Sequence, residues 1–265
     1  MADSFSNGTV YRLDGPGNAP VVVLIHGLGL NRHIWDEYQA VLSSRYRVLT
    51  YDLYGHGGST PPPEIPSLRL FSEQLRALLD ALEIDRCAIV GFSLGGMINR
   101  RFAIDYPERV SALVILNSPH ERSPEQQKLV EKRAADTSEG GPAATLDATI
   151  ERWFTAEFRA AQPEVIAQVR RWVLANDPVI YAQCRQVLAT GVIELIRPQP
   201  PVSQLSLVMT AENDSGSSPA MSHAIAAEIH CARTIIVPGL QHMALVEQPS
   251  LFIEPMLRFL QETHN

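Results

Sequence analysis

The chemistry of this chain can be organised around Ser93. It stands in Gly91-Phe92-Ser93-Leu94-Gly95-Gly96, a G-x-S-x-G pattern that follows an apolar run at 87–90 and precedes a stretch with helical spacing. A serine hydroxyl is a weak nucleophile until a neighbouring base takes its proton. A sharp strand-to-helix turn would expose that hydroxyl at the top of a sheet. Side chains two positions to either side are expected to collide with the strained central residue, which favours glycine at both. The following helix would aim its N-terminal N–H groups and positive dipole end at the same point, favouring developing negative charge. Without that context GFSLGG is only a glycine-rich turn.

Eight histidines could supply the base. His242 follows the last predicted strand in Pro238-Gly239-Leu240-Gln241-His242. Loops at the C-terminal ends of parallel strands are where such sheets place ligands and catalysts. His26 and His56 are its rivals. His26, in His26-Gly27-Leu28-Gly29, is expected to brace its loop, and His56 sits in a tight glycine-rich turn, Gly55-His56-Gly57-Gly58. His33, His120, His223, His230 and His264 read as surface or lining residues. An acid must hold the imidazole in the right tautomer. Asp214, in Thr210-Ala211-Glu212-Asn213-Asp214, lies on a strand-end loop between the nucleophile and His242. Glu212 and Asp52 are the competing acids. Asn117, which ends another strand, cannot supply the charge. The backbone N–H groups of Leu28 and Leu94 are the expected oxyanion donors; losing a comparable donor costs about 10²–10³ in rate. No H-x-x-x-H or similar cluster occurs, so no metal is expected, and nothing in the motifs calls for a cofactor.

The elements that must position these residues alternate. Apolar runs rich in β-branched residues at 21–25, 48–51, 87–90 and 112–116 read as buried strands. Helical spacing between them is clearest for Leu68, Phe71, Leu75, Leu78 and Leu82. Strands alternating with helices imply an α/β fold with a mostly parallel sheet, because parallel neighbours need crossover connections. A segment near 9–13 would add an antiparallel edge hairpin. From 118 to 200 the strand pattern stops, and helices are expected near 125–135, 144–158, 163–175 and 178–189. Strands resume at 205–209 and 234–237, with a helix at 219–229 between them and a last helix near 250–260. Pro255 should make that helix start late or kink. The expected organisation is one core, residues 1–117 and 201–265, with an inserted helical cap at 118–200.

The 265 residues are 45% hydrophobic, enough to bury a substantial core. Net charge is −7, which argues against a general nucleic-acid binder but not against a local cationic anion site. Cys87, Cys184 and Cys231 are far apart and odd in number, which suits reduced thiols in a cytoplasmic protein. No apolar run approaches the ~20 residues of a membrane span, and MADSFSNGTV lacks the pattern of a signal peptide. Neither nucleic acid nor membrane is an expected partner; self-association into a homo-oligomer stays open.

Taken together, HG-x-G after one strand, D-x-x-G-x-G-x-S after the next, G-x-S-x-G, the Asp loop and G-x-x-H resemble the α/β-hydrolase superfamily across essentially the whole chain. A narrower resemblance lies in the cap. Glu151-Arg152-Trp153-Phe154-Thr155, Phe158-Arg159, Asn176-Asp177-Pro178 and Tyr181-x-x-Cys184 look like the cap of 3-oxoadipate enol-lactonases. That resemblance implies Ser93, Asp214 and His242 as the triad, no metal or organic cofactor, a small ester or lactone substrate, and Trp153 over the pocket. Trp153 reads equally as helix-packing core. Arg152 could bind a substrate carboxylate, though a solvated helix face is the simpler expectation. The chain departs from the enol-lactonases at 190–201 and in the acid loop, Asp214-Ser215-Gly216-Ser217-Ser218-Pro219, which bears on the substrate and not on the chemistry. The alternatives are a general carboxylesterase, a carbon–carbon hydrolase of ring-cleavage dienones, and a catalytically dead small-molecule receptor.

Overall fold

Aliphatic runs become strands close to where they were expected. The computed structural model describes residues 3–263, so Met1, Ala2, His264 and Asn265 lie outside the described residues. The strands are β1 (Ser4–Ser6), β2 (Thr9–Asp14), β3 (Val21–Ile25), β4 (Arg47–Tyr51), β5 (Cys87–Phe92), β6 (Val110–Leu116), β7 (Leu205–Ala211) and β8 (Ala232–Val237). They form one sheet in the order β1-β2-β4-β3-β5-β6-β7-β8. The edge hairpin joins antiparallel to β4, and β3 to β8 pair in parallel. This is the expected α/β architecture. Every residue of β5 is buried, which is why the central strands read as unbroken apolar runs without alternation.

Flanking helices are α1 (Asp36–Leu42), α2 (Leu68–Ala81) and α3 (Leu94–Asp105). The α2 stripe buries Leu68, Phe71, Leu75 and Leu78. Between β6 and β7 come α4 (Pro124–Gly140), α5 (Leu146–Trp153), α6 (Ala156–Ala161), α7 (Pro163–Leu174) and α8 (Pro178–Thr190). Then α9 (Pro219–Glu228) separates β7 from β8, and α10 (Ala244–Glu247) and α11 (Ser250–Glu262) complete the chain. The chain leaves β3 to one side for β4 and returns on the other side for β5. That reversal opens a crevice at the strands' C-terminal ends, between β3 and β5, where Gly27-Leu28 and Ser93 meet.

Two expectations are corrected here. The single helix expected at 144–158 is broken. Phe154 is extended (φ −123°, ψ 142°), and Thr155 starts α6 by accepting from the Phe158 N–H. Glu247 of α10 holds the break, accepting from the Thr155 N–H (2.8 Å) and hydroxyl (2.7 Å). Periodicity could not foresee a tertiary carboxylate that stops a helix. The last helix does not start late; α11 begins at Ser250 and continues through Pro255. An interior proline costs about 3 kcal/mol. The helix buries Phe252, Ile253, Met256, Phe259 and Leu260, each worth about 1.5–3 kcal/mol, so packing wins.

Among the described residues no helix is long and apolar enough to cross a membrane. Cys87 and Cys184 are buried, Cys231 is exposed, and all three are free thiols.

Candidate active site

Ser93 sits at the tip between β5 and α3 with φ +55° and ψ −112°, a strained conformation for a residue with a side chain. The surroundings clamp it. Its N–H donates to the Leu116 carbonyl (2.9 Å), and its carbonyl accepts from the Ser118 hydroxyl (3.0 Å). The flanking glycines are required for a reason different from the expected one. A Cβ on Gly91 would lie 2.1 Å from the Gly95 carbonyl oxygen, and one on Gly95 would lie 2.3 Å from the Ile25 carbonyl oxygen. The collisions are with backbone across the turn and at the end of β3, not with Ser93 itself.

His242 reaches Ser93 from the loop after β8. Its Nε2 is 3.2 Å from Ser93 Oγ and its Nδ1 is 2.7 Å from Asp214 Oδ2. All three side chains are buried or nearly so: Ser93 is 6% exposed, His242 8% and Asp214 2%. Phe92 and Trp153 rings hold the imidazole, with centroids 5.0 and 5.9 Å away. Asp214 accepts four hydrogen bonds. Asn117 Nδ2 (2.9 Å) and His242 share Oδ2, while the Gly216 and Ser217 N–H groups (both 2.9 Å) share Oδ1. Burial works against its charge. The neighbouring His242 and the hydrogen bonds from His242, Asn117 and Ser217 outweigh burial and hold the carboxyl below its usual range.

The rival residues are engaged elsewhere. Glu212 is exposed and accepts from the Gly239 N–H (2.9 Å), shaping the turn that leads to His242. Asp52 accepts from the Arg32 N–H (2.8 Å) and guanidinium (2.6 Å) and from the Gly58 N–H (2.9 Å). His26 accepts the Leu53 N–H at Nε2 (3.0 Å) and donates from Nδ1 to the Gly27 carbonyl (2.8 Å), bracing the loop that carries Leu28. Burial lowers its pKa. Burial and then the neighbouring His26 push His56 down to about 3.

Among the described residues, neither the Leu28 nor the Leu94 N–H is taken by an acceptor in the turns around the site. Leu94 opens α3, where an N–H has no intrahelical partner. The two leucine side chains differ in their surroundings. Leu28 lines the cavity, whereas Leu94 is fully buried in the core and does not.

The cavity in front of Ser93 is about 80 Å³ and is walled by Leu28, Phe92, Trp153 and His242 together with Arg122, Arg133, Arg152 and Arg185. Trp153 is both core, 8% exposed, and wall. Arg152 is not on a solvated face. It lines the cavity, and burial, then Arg133 and Arg185, push its pKa down to about 10. Burial alone takes Arg122 to about 10, and burial with Arg185 lowers Arg133. Sequence reasoning missed Asn117, Ser118, Glu247 and three of these arginines. Asn117 carries one retrospective signal, since it sits after a buried strand with φ +45°, a region asparagine tolerates better than most residues. The arginines carry none, because they come from segments far apart in sequence.

A strained strand-to-helix turn at Ser93, at the switch point of an eight-stranded, mostly parallel sheet, has the architecture of an α/β hydrolase. A family model described as the alpha/beta hydrolase fold matches residues 20–249, and the chain belongs to that family. It is 28% identical to 3-oxoadipate enol-lactonase 2 of Acinetobacter baylyi, over 91% of this chain and 89% of that one. It is 26% identical to a Pseudomonas savastanoi pv. phaseolicola protein named for carbamate hydrolysis, over 92% of this chain and 94% of that one. The crystal structure of the enol-lactonase from Burkholderia xenovorans LB400 superposes with a TM-score of 0.88 at 30% identity, covering 98% of this chain and 100% of that chain.

Proposed function

We propose that the protein is a serine hydrolase of small esters or lactones, most similar in chemistry to an enol-lactonase. The observation that carries this reading is the continuous Ser93–His242–Asp214 hydrogen-bond relay, at 3.2 and 2.7 Å, opening on a cavity. His242 Nε2 takes the Ser93 proton as Oγ attacks the carbonyl carbon. The Leu28 and Leu94 N–H groups receive the oxyanion. The tetrahedral intermediate collapses, the carbonyl–oxygen bond to the leaving group breaks, and His242 protonates that oxygen. A water then gives its proton to His242 and adds to the acyl carbon, releasing a carboxylic acid and restoring Ser93. Asp214 keeps the Nδ1 proton in place throughout. Residues 118–200 act as a cap, and Trp153 presents a flat apolar wall to the substrate. No metal or organic cofactor enters any of these steps.

The experiment is fluorophosphonate labelling together with a panel of enol-lactones, aryl esters, carbamates and ring-cleavage dienones. Labelling should fall on Ser93, enol-lactones and aryl esters should turn over, and Ser93→Ala should lower kcat by about 10⁶-fold. Wild-type turnover by Ser93→Ala would sink the proposal. Dienone cleavage without ester or lactone cleavage would move the chemistry to a carbon–carbon bond.

A further inference from the structure

The wall facing Ser93 holds more positive charge than one carboxylate can use. Arg133 on α4, Arg152 on α5 and Arg185 on α8 line the inner cavity. The same three, with Ser215, also line an outer groove of about 510 Å³. They therefore stand in the partition between the two spaces and face both.

None of the three pairs with a carboxylate among the described residues. Arg152 donates to Thr149 Oγ1 at 3.3 Å, and Arg185 bonds to the Tyr181 hydroxyl. The acids around them are engaged or peripheral. Asp214 is committed to His242, Asn117, Gly216 and Ser217. Asp136, in the outer groove, pairs with Lys132 at 2.9 Å, and Glu151 is exposed at the groove. Arg122 adds a fourth charge to the inner wall, but its donors are turned to the Leu188 and Ala189 carbonyls and to Gln127. Buried like charges are costly unless something pairs them. A guanidinium fork matches one carboxylate bidentately. A single carboxylate would fill one fork, or bridge two, and leave the third bare.

We infer that the substrate is an ester or lactone bearing at least two carboxylates besides its scissile carbonyl, held by Arg133, Arg152 and Arg185. One carboxylate lies in the inner cavity and the other reaches the outer groove. This rests on the reading of Ser93 as the nucleophile. On a chain of net charge −7 the arginine partition is also a local positive field that draws such an anion in through the groove.

Two measurements test it. Calorimetry on the full-chain Ser93→Ala protein compares tricarballylate with propionate. Tricarballylate should bind at least about 100-fold tighter, and Arg152→Gln or Arg185→Gln in that background should each weaken it about 100-fold. Circular dichroism checks that the variants fold, and Arg133→Gln serves if one does not. Kinetics on the wild type compare the 4-nitrophenyl monoester of tricarballylate with its dimethyl ester. The diacid should be preferred, and the preference should shrink in the arginine variants and in high salt. Equal binding of propionate and tricarballylate, or equal turnover of the diacid and its dimethyl ester, would overturn the inference and leave the hydrolase reading intact. No turnover and no labelling of Ser93 would remove the hydrolase reading, while calorimetry would still decide whether the arginines form a polycarboxylate site.

Discussion

Replacing Asp214 by asparagine is the sharpest test of the relay, because the structure dictates how the amide must turn. The carboxylate accepts from Gly216 and Ser217 N–H groups at Oδ1 and from Asn117 and His242 at Oδ2. With the amide oxygen at the Oδ1 position both backbone bonds survive, and the Asn117 amide loses one of its two acceptors, keeping Thr210 Oγ1 at 3.3 Å. With the amide reversed, both backbone N–H groups lose theirs. An unsatisfied buried donor costs about 1–3 kcal/mol, so the first arrangement wins by about that much. It places an NH₂ against His242 Nδ1. The imidazole must then carry its proton on Nε2, facing Ser93, where it cannot accept one. The expected loss in kcat is about 10⁴-fold, or about 5.5 kcal/mol of barrier. The variant should fold, with stability lowered by about 1 kcal/mol for the one hydrogen bond that Asn117 loses. Stopped-flow or steady-state kcat on an enol-lactone, with a urea melt alongside, reads both quantities. Retention of more than a tenth of wild-type kcat would refute the tautomer argument and return Glu212 or another acid to consideration.

Gly91→Ala should destabilise the fold by about 3 kcal/mol or more, since its Cβ would lie 2.1 Å from the Gly95 carbonyl oxygen, while Gly17→Ala, with nothing within 4 Å, should be near neutral. Urea midpoints of the two variants decide it, and equal midpoints would show that the turn can relax. Stability should fall as pH drops below about 6.5. The folded pKa of His56 is depressed to about 3 and that of His26 is lowered, so the unfolded chain binds protons first. The stabilisation is complete above the unfolded pKa and is lost toward the folded one, at up to about 1.4 kcal/mol per pH unit for each histidine. Urea melts from pH 7 to 4 should show that slope and a shallower one in His56→Gln; a flat profile would contradict it. The depressed Asp214 carboxyl adds a further loss below the usual carboxylate range, which Asp214→Asn should remove.

What could be read in advance was local or ordered along the chain. The strand cores at 21–25, 87–90 and 205–209 were legible because a parallel strand buried on both faces is an unbroken apolar run. Ser93 and Asp214 were legible because each follows such a run, and His242 because it follows the apolar run of the half-buried last strand; the structure brings these three together with 3.2 and 2.7 Å contacts. Glycines 91 and 95 were legible as necessary, but their reason was not, because the atoms they avoid belong partly to β3. Helix ends were read poorly wherever a distant group set them, as Glu247 does at Thr155.

The sequence by itself determined the periodicities, and through them the α/β layout, the nucleophile turn and the order of the candidate triad. Only the tertiary structure decided what surrounds Ser93. Asn117 is placed against Asp214 by the pairing of β6 with β7, not by any local pattern. Arg152 reads as one charged residue on an amphipathic helix, and it becomes a wall of the cavity because α4, α5 and α8 converge there with Arg133 and Arg185. Spacing along one helix says which residues share a face. It cannot say which faces of separate helices meet, and the charge in front of Ser93 is set by that meeting.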